Sequence, residues 1–321
     1  MTKVNLEHYL KKIQLTVPAA LVDLSPVERL QLLNDIYFAH VKTFPYSNLE
    51  LRQVSQYHPV QRVPISFFNY HSLLSEERHG GFCFQTAALL ADALSQIGYQ
   101  VNLCAAHALL GAAVNAPKML AFPRTHLILD VRLGEKRFLL DPGLGSSSPR
   151  YPVPITETEE PMLQDGEEFR VCRIDNVYVL DKKTRQGWFH QTQSDLVPIS
   201  SKTAAFNMLK LQLHPVPLNI RDNKTVIGII TEQGRKSLFW DEQSDLLKFS
   251  KQENGQYTQI VINDFEEGQR LLEQEFDIQH ISAEDLASYC TKTVLPTPKV
   301  AWTVDFPLDR TDLEDNLTYR L

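Results

Sequence analysis

Cysteine is scarce in this chain: four in 321 residues, Cys83, Cys104, Cys172 and Cys290, far apart and with no C-x-x-C pair. That argues against a zinc site and leaves no framework for a disulfide scaffold, so a reducing cytoplasm is the expected location. Long apolar runs are missing as well. Met1 to Leu15 mixes Lys3, Glu7, Lys11 and Lys12 with apolar residues, unlike the core of a signal peptide. No later segment is apolar and uncharged over the length needed to cross a bilayer, which sets a membrane aside as partner. There is no excess of positive charge either: 32 Lys plus Arg against 39 Asp plus Glu leave −7, a field that disfavours polyanions and sets nucleic acid aside as main ligand. Internal repeats and low-complexity tracts are absent. What the chain does have is apolar material, 43 % of it, enough for a sizeable core without staples.

Ser25-Pro26-Val27-Glu28 reads as a capping box with proline at the first helical position, and Leu30, Leu33, Tyr37 and Val41 follow at helical spacing, predicting a helix to about Lys42. Pro45 ends it, and the stretch to about Pro64 reads as loop. A second helix is expected from Cys83, with Leu89, Leu90, Ala93, Leu94 and Ile97 as its stripe and Gly98 as left-handed C-terminal cap. Strands are expected over Tyr99 to Leu103, Thr125 to Leu133 and Arg137 to Leu140, the last two joined at Gly134-Glu135. Phe169 to Ile174 and Val177 to Leu180 form a further hairpin about Asp175-Asn176, so the middle third reads as antiparallel β. Beyond Pro198 the signals mix: a helix over Ala204 to Leu213, a strand over Thr225 to Thr231, and a helix over Asp264 to Phe276 with Asp264 as cap. Leu295 to Leu321 shows no clear period.

The chemistry concentrates in Arg78-His79-Gly80-Gly81-Phe82-Cys83-Phe84-Gln85. Two glycines let the backbone turn tightly and bring Cys83 to a helix start, where unpaired N–H groups and the helix dipole favour a thiolate and can hold an oxyanion. Taken alone, a cysteine after a glycine loop is equally well a buried core residue. His126 opens a strand, as a rigidly held base should, although any one of ten histidines is more often structural. Asp141 ends the next strand before Pro142-Gly143-Leu144-Gly145, where a hairpin could bring it beside His126 to fix the imidazole; aspartate before Pro-Gly is also an ordinary turn residue. Ser146-Ser147-Ser148-Pro149-Arg150 reads as a polar surface loop, with Arg150 able to offer charge to a phosphate. Trp188, Trp240, Trp302, Cys104, Cys172 and Cys290 read as packing residues.

Together these features resemble the arylamine N-acetyltransferase family. Ala39-His40, Phe44-Pro45-Tyr46-Ser47-Asn48-Leu49-Glu50, the Arg78 to Gln85 box, Thr125-His126 and the Asp141 to Gly145 turn all carry the resemblance, which covers roughly residues 25 to 155. It implies an α+β fold: a helical N-terminal region (1–98) carrying the nucleophile, a central antiparallel β-barrel (99–200) carrying base and aspartate, and a C-terminal α/β lid (201–321), in a cysteine-protease-like triad layout. It implies that Cys83, His126 and Asp141 are catalytic, and that Phe84, Arg124, Thr125, Gly143, Leu144 and Gly145 line the substrate sites. It further implies acetyl-CoA as acyl donor, a small amine as acceptor, no metal, and a ping-pong cycle through a Cys83 thioester. Three positions depart from the family pattern: Leu144 where an aromatic residue is usual, Ala87 in place of an asparagine, and Ala106-His107-Ala108 in place of Ala-Arg-Val.

The expected activity is therefore acyl-CoA-dependent N-acyl transfer to an arylamine, hydrazine or related amine. An amide synthase using a longer acyl donor would suit Leu144 and Ala87. A cysteine peptidase or transglutaminase-like enzyme uses the same triad order, and a non-catalytic binding protein could keep the same fold.

Overall fold

The computed structural model describes residues 3–18, 21–56, 65–67, 70–74, 80–214 and 218–292. Arg78 and His79 of the cysteine box, the end of the expected loop (57–64) and the tail from Leu295 with Trp302 lie outside the described residues.

The N-terminal part is helical: α1 (Leu6–Lys12), α2 (Pro26–Thr43), a two-residue strand β1 (Tyr46–Ser47), α3 (Leu49–Gln56), the short α4 (His71–Leu74) and α5 (Cys83–Ile97). The α2 box forms as the sequence requires: Ser25 Oγ accepts from Glu28 N–H at 3.3 Å and a Glu28 oxygen accepts from Ser25 N–H at 2.8 Å. α5 is buried along most of its length, and Gly98 ends it at φ 114°, donating to Leu94 O. Leu33, Ile36, Leu89, Leu90 and Leu94 form the centre of this core.

Where a loop was expected after Pro45, β1 and α3 stand instead. A two-residue strand offers no period to read. α3 turns inward not only Leu49, Leu51 and Val54 but also Arg52, whose guanidinium donates to Tyr289 O (2.8 Å) and Arg221 O (3.1 Å) and lies over the Trp240 ring. A buried arginine breaks the apolar stripe that reveals most helices.

The middle of the chain builds the barrel: β2 (Gln100–Ala108), a helical turn α6 (Pro117–Leu120), β3 (His126–Leu133), β4 (Lys136–Leu140), β5 (Val153–Pro154), β6 (Met162–Gln164), β7 (Glu167–Ile174), β8 (Val177–Thr184), β9 (Gly187–Ser194) and β10 (Pro198–Ile199). The antiparallel order is β5-β4-β3-β2-β9-β8-β7-β6, β10 adds to β2, and β5 comes back against β7, so the sheet nearly closes. α5 packs on β2 and β3. β2 runs five residues beyond the expected Leu103, because Cys104 to Ala106 pair with β3 and His107 and Ala108 with β9 despite weak strand propensity.

The C-terminal part contributes α7 (Ser201–Leu213), β11 (Lys224–Ile230), β12 (Gly234–Asp241), β13 (Leu247–Glu253), β14 (Gln256–Ile262), α8 (Phe265–Phe276) and α9 (Ala283–Tyr289). Its sheet runs β1-β11-β12-β13-β14 over a core of Ile227, Leu238, Trp240, Phe249, Leu272, Phe276 and Leu286. Tyr46 pairs with Gly228 and Ser47 with Ile227, so this sheet borrows its edge strand from the N-terminal part. Asn48 seals the joint: its side chain donates to Ile220 O (2.6 Å) and Lys224 O (2.7 Å) and accepts from Val226 N–H (2.7 Å).

Candidate active site

The Gly80-Gly81 turn is clamped to β1. Gly81 N–H donates to Pro45 O at 3.1 Å, and Ser47 N–H donates to Gly81 O at 2.9 Å. Gly80 has φ +69°, and a Cβ on it would sit 2.7 Å from Pro45 O, so no other residue fits. The turn delivers Cys83 as the first residue of α5, with only 5 % of its surface exposed. Its Sγ lies 3.8 Å from Thr125 O.

His126 is the first residue of β3 and Asp141 follows the last of β4; the β3–β4 hairpin brings them together. His126 Nε2 lies 2.9 and 3.0 Å from the two oxygens of a fully buried Asp141, which also accepts from Gly143 N–H at 3.2 Å. An ionised carboxylate only accepts, so Nε2 carries the proton of that bond and Nδ1 is left free of it, with Cys83 close enough for its charge to act on the ring. The turn after Asp141 closes over the pair: a Cβ on Gly143 would lie 2.5 Å from Cys83 Cβ and 3.1 Å from His126 Cε1.

Burial pushes His126 towards its neutral form, but the charges of Asp141 and Cys83 outweigh it and hold its pKa up at about 10. The site therefore favours an imidazolium facing sulfur. Two buried phenols flank it. Tyr46 is pushed upward by burial and then by the charge of Cys83, and Tyr37 by burial and then by Asp141, so both stay protonated.

The other residues expected to touch substrate separate. Thr125 and Gly143 contact the Cys83 and His126 pair directly. Gly145, at φ 59° and ψ −126°, lies under Tyr46. Leu144 is half-buried and packs against the barrel core. Phe84 is fully buried in the helical core, edge-on to Phe67 at 6.4 Å. Arg124 faces Asp195, donating to its carboxylate at 2.7 Å. Arg150 is neither on the surface nor free: it is buried, donates to Gly234 O at 2.8 Å and pairs with Asp165 at 3.3 Å. Its charge is spent on joining the barrel to the C-terminal sheet, which corrects the surface-loop reading. Cys104, Cys172 and Cys290 are buried and unpaired, and burial pushes each thiol up to about 12. Trp240 is buried and Trp188 stacks on Arg170, as packing residues should. Among the described residues no group of His, Cys, Asp or Glu is placed to hold a metal.

Gly228 was missed from the sequence. Its Cα lies against the glycine turn, where a Cβ would meet Ser146 N at 2.6 Å. The signal was an isolated glycine in the apolar strand Thr225-Val226-Ile227-Gly228-Ile229-Ile230, which marks a close backbone approach.

Helical region, nearly closed barrel and C-terminal sheet, with cysteine, histidine and aspartate meeting where the first two join, define an α+β protein of cysteine-protease-like layout. Within that class, a family model described as N-acetyltransferase matches residues 29–284, and the chain belongs to the arylamine N-acetyltransferase family. The arylamine N-acetyltransferase of Mycobacterium tuberculosis (strain ATCC 25618 / H37Rv) is 29 % identical over 165 residues, 50 % of this chain and 54 % of the relative. The match thus spans about half the length of that relative. The pineal gland isozyme NAT-3 of Gallus gallus is 23 % identical over 268 residues, covering 78 % of this chain and 87 % of its own. Among solved structures, the Salmonella typhimurium enzyme superposes with a TM-score of 0.71 at 18 % identity, over 90 % of this chain and 99 % of the other. The Mycobacterium marinum enzyme in complex with CoA gives 0.70 at 20 % identity, over 89 % and 98 %.

Proposed function

We propose that the chain is a cytoplasmic, acyl-CoA-dependent N-acyltransferase that moves an acetyl group from acetyl-CoA through a Cys83 thioester to an arylamine, hydrazine or related amine. The observation that carries this reading is that Cys83, the first residue of a helix, and His126 pack against the same Gly143, with His126 hydrogen-bonded to the buried Asp141. Family membership and the CoA complex of a relative support the donor. Four unpaired cysteines fit a reducing compartment.

Chemistry follows from the side chains. The Cys83 thiolate adds to the acetyl carbonyl, and N–H groups at the start of α5 are placed to stabilise the oxyanion. The carbon–sulfur bond to CoA breaks, and the CoA sulfur leaves with the proton held on His126. An amine then attacks the thioester. His126, now neutral, takes a proton from the amine nitrogen as the carbon–sulfur bond to Cys83 breaks, which restores the thiolate and imidazolium. Asp141 fixes the ring and stabilises its charged form in both halves. On this reading Thr125, Gly143 and Gly145 shape the space above sulfur, Arg124 lies at its rim, Leu144 sets its inner wall from the barrel side, and Phe84 supports the nucleophile from below. The segments 1–98, 99–200 and 201–321 act as nucleophile-bearing, base-bearing and lid units.

Brief incubation with acetyl-CoA and no acceptor, followed by intact-mass measurement and peptide mapping, tests the cycle. A single acetyl group on Cys83 that disappears when an arylamine or hydrazine is added is the expected result. Cys83→Ala is expected to abolish transfer in a folded protein, and substantial retained activity would overturn the assignment. Propionyl- and malonyl-CoA in the same assay set donor length.

A further inference from the structure

Cys83 owes its place to the residues before it, and the cap of its helix is unusual. The N-cap position is Phe82, which has no polar side-chain atom, so only half of a capping box is available. Gln85 supplies that half: its Oε1 accepts from Phe82 N–H at 3.0 Å. Gln85 is 2 % exposed, and a Cβ on Gly81 would touch its Oε1 and Cβ at 3.2 Å, so the amide is wedged beneath the glycine turn.

A primary amide is ambiguous by itself, because its oxygen and nitrogen can exchange places by a half-turn. Here the two partners remove the ambiguity: Phe82 N–H can only donate, so the amide oxygen faces it and Gln85 Nε2 donates to Oε2 of Glu50, the second residue of α3, at 2.9 Å. Burial pushes the Glu50 carboxyl up, and the bond from Gln85 draws it back towards the ionised, accepting form. α3 itself is anchored through Asn48, the residue before it.

We propose that Glu50 is a positioning residue: through Gln85 it fixes the Phe82 N–H, and with it the place of the Cys83 sulfur at the start of α5. This rests on Cys83 being the acylated nucleophile. The tolerance is small, since Cys83 Cβ sits where a methyl on Gly143 would be only 2.5 Å away. Misplacement of a reacting atom by about 1 Å costs on the order of 100-fold in rate.

The test uses a donor–acceptor exchange. Gln85→Glu places two carboxylates in one hydrogen bond; the pair Glu50→Gln with Gln85→Glu keeps the same bond with its polarity reversed, and residue 85 still accepts from Phe82 N–H. Single-turnover acylation by acetyl-CoA, steady-state kcat and KM, and thermal unfolding are measured for each, with Glu50→Leu as a variant that removes the acceptor. The expected result for Gln85→Glu is a fall of about 10- to 100-fold in acylation rate and kcat with KM for acetyl-CoA unchanged. That deficit deepens as pH rises and the second carboxylate ionises. Glu50→Leu falls similarly, and the double variant returns to within about 3-fold of the parent, a recovery a general packing defect would not give.

Gln85→Glu acylating at the parent rate, or a double variant as slow as the single, overturns the proposal. If Gln85→Glu does not fold, Glu50→Leu decides alone: unchanged kcat sinks the idea. If the parent itself shows no adduct on Cys83, the nucleophile assignment has failed instead. Iodoacetamide labelling of Cys83 in the same variants then still reports whether Glu50 governs the thiol's position: slowed labelling in Gln85→Glu with recovery in the double variant supports the proposal, and equal rates overturn it.

Discussion

One methyl group measures how tightly the pair of Cys83 and His126 is enclosed. Gly143→Ala would drive a carbon to 2.8 Å from Cys83 Cα and 2.5 Å from its Cβ, so the backbone must shift. The expected cost is about 1–3 kcal/mol of stability, read by urea unfolding, with kcat lower by on the order of 100-fold. His126 makes a prediction with a definite sign. Its folded pKa of about 10 stands above the ordinary 6.5, so the native state binds the extra proton between these values. The stabilisation is fully present below about pH 6.5 and is lost as pH rises through about 10. Urea midpoints of the parent should therefore fall relative to His126→Gln across that window; parallel curves would refute the ion pair. Cysteine, histidine and aspartate were each legible in sequence because each stands at an element boundary marked by glycine or proline. Arg150 misled because a charged residue in a Ser-rich stretch looks solvated, whereas carbonyls from β12 and its preceding turn, together with Asp165, take up its charge.

At the scale of elements, β1 has the shortest sequence and the widest reach. It holds the Gly80-Gly81 turn on one side and β11 on the other, and Asn48 supplies three hydrogen bonds to the joint. Asn48→Ala strands two carbonyls and one N–H, at an expected cost of about 2–4 kcal/mol in urea unfolding. Slower acylation of Cys83 should accompany it, since the clamp on the turn loosens; an unchanged rate would mean the turn holds itself. Elements with self-contained signals were readable: the capping box of α2, the left-handed Gly98 after α5, the Asp264 cap of α8. α3 was not, because part of its buried face is an arginine satisfied by carbonyls distant in sequence. β14 was not, because Gln256 to Val261 are exposed on both faces and show no alternation.

For the whole molecule, the shared edge strand and the Arg150 and Arg235 contacts bind barrel, helices and C-terminal sheet into one framework: Arg235 donates to Ser146 O in the glycine turn, and Arg150 reaches Gly234 O. Unfolding should be a single transition. Trp188 sits in β9 of the barrel and Trp240 in β12 of the C-terminal sheet, so in a Trp302→Phe background Trp188→Phe and Trp240→Phe each leave one fluorophore, in opposite parts. Coincident urea curves are expected, and a separated C-terminal transition would show the C-terminal sheet to be an independent unit. The order helices, barrel, mixed C-terminal part was legible from periodicity, whereas the exchange of β1 between ends of the chain was not, because a pairing across some 180 residues leaves no local mark.

Three of the four thiols are buried, which pushes their pKa values up to about 12, and the fourth faces an imidazolium. A thiol-reactive dye used at neutral pH is therefore expected to find one competent target per folded molecule, and with Cys83 as the proposed nucleophile the stoichiometry of its uptake would count competent molecules in a preparation without knowledge of the proposed amine acceptor.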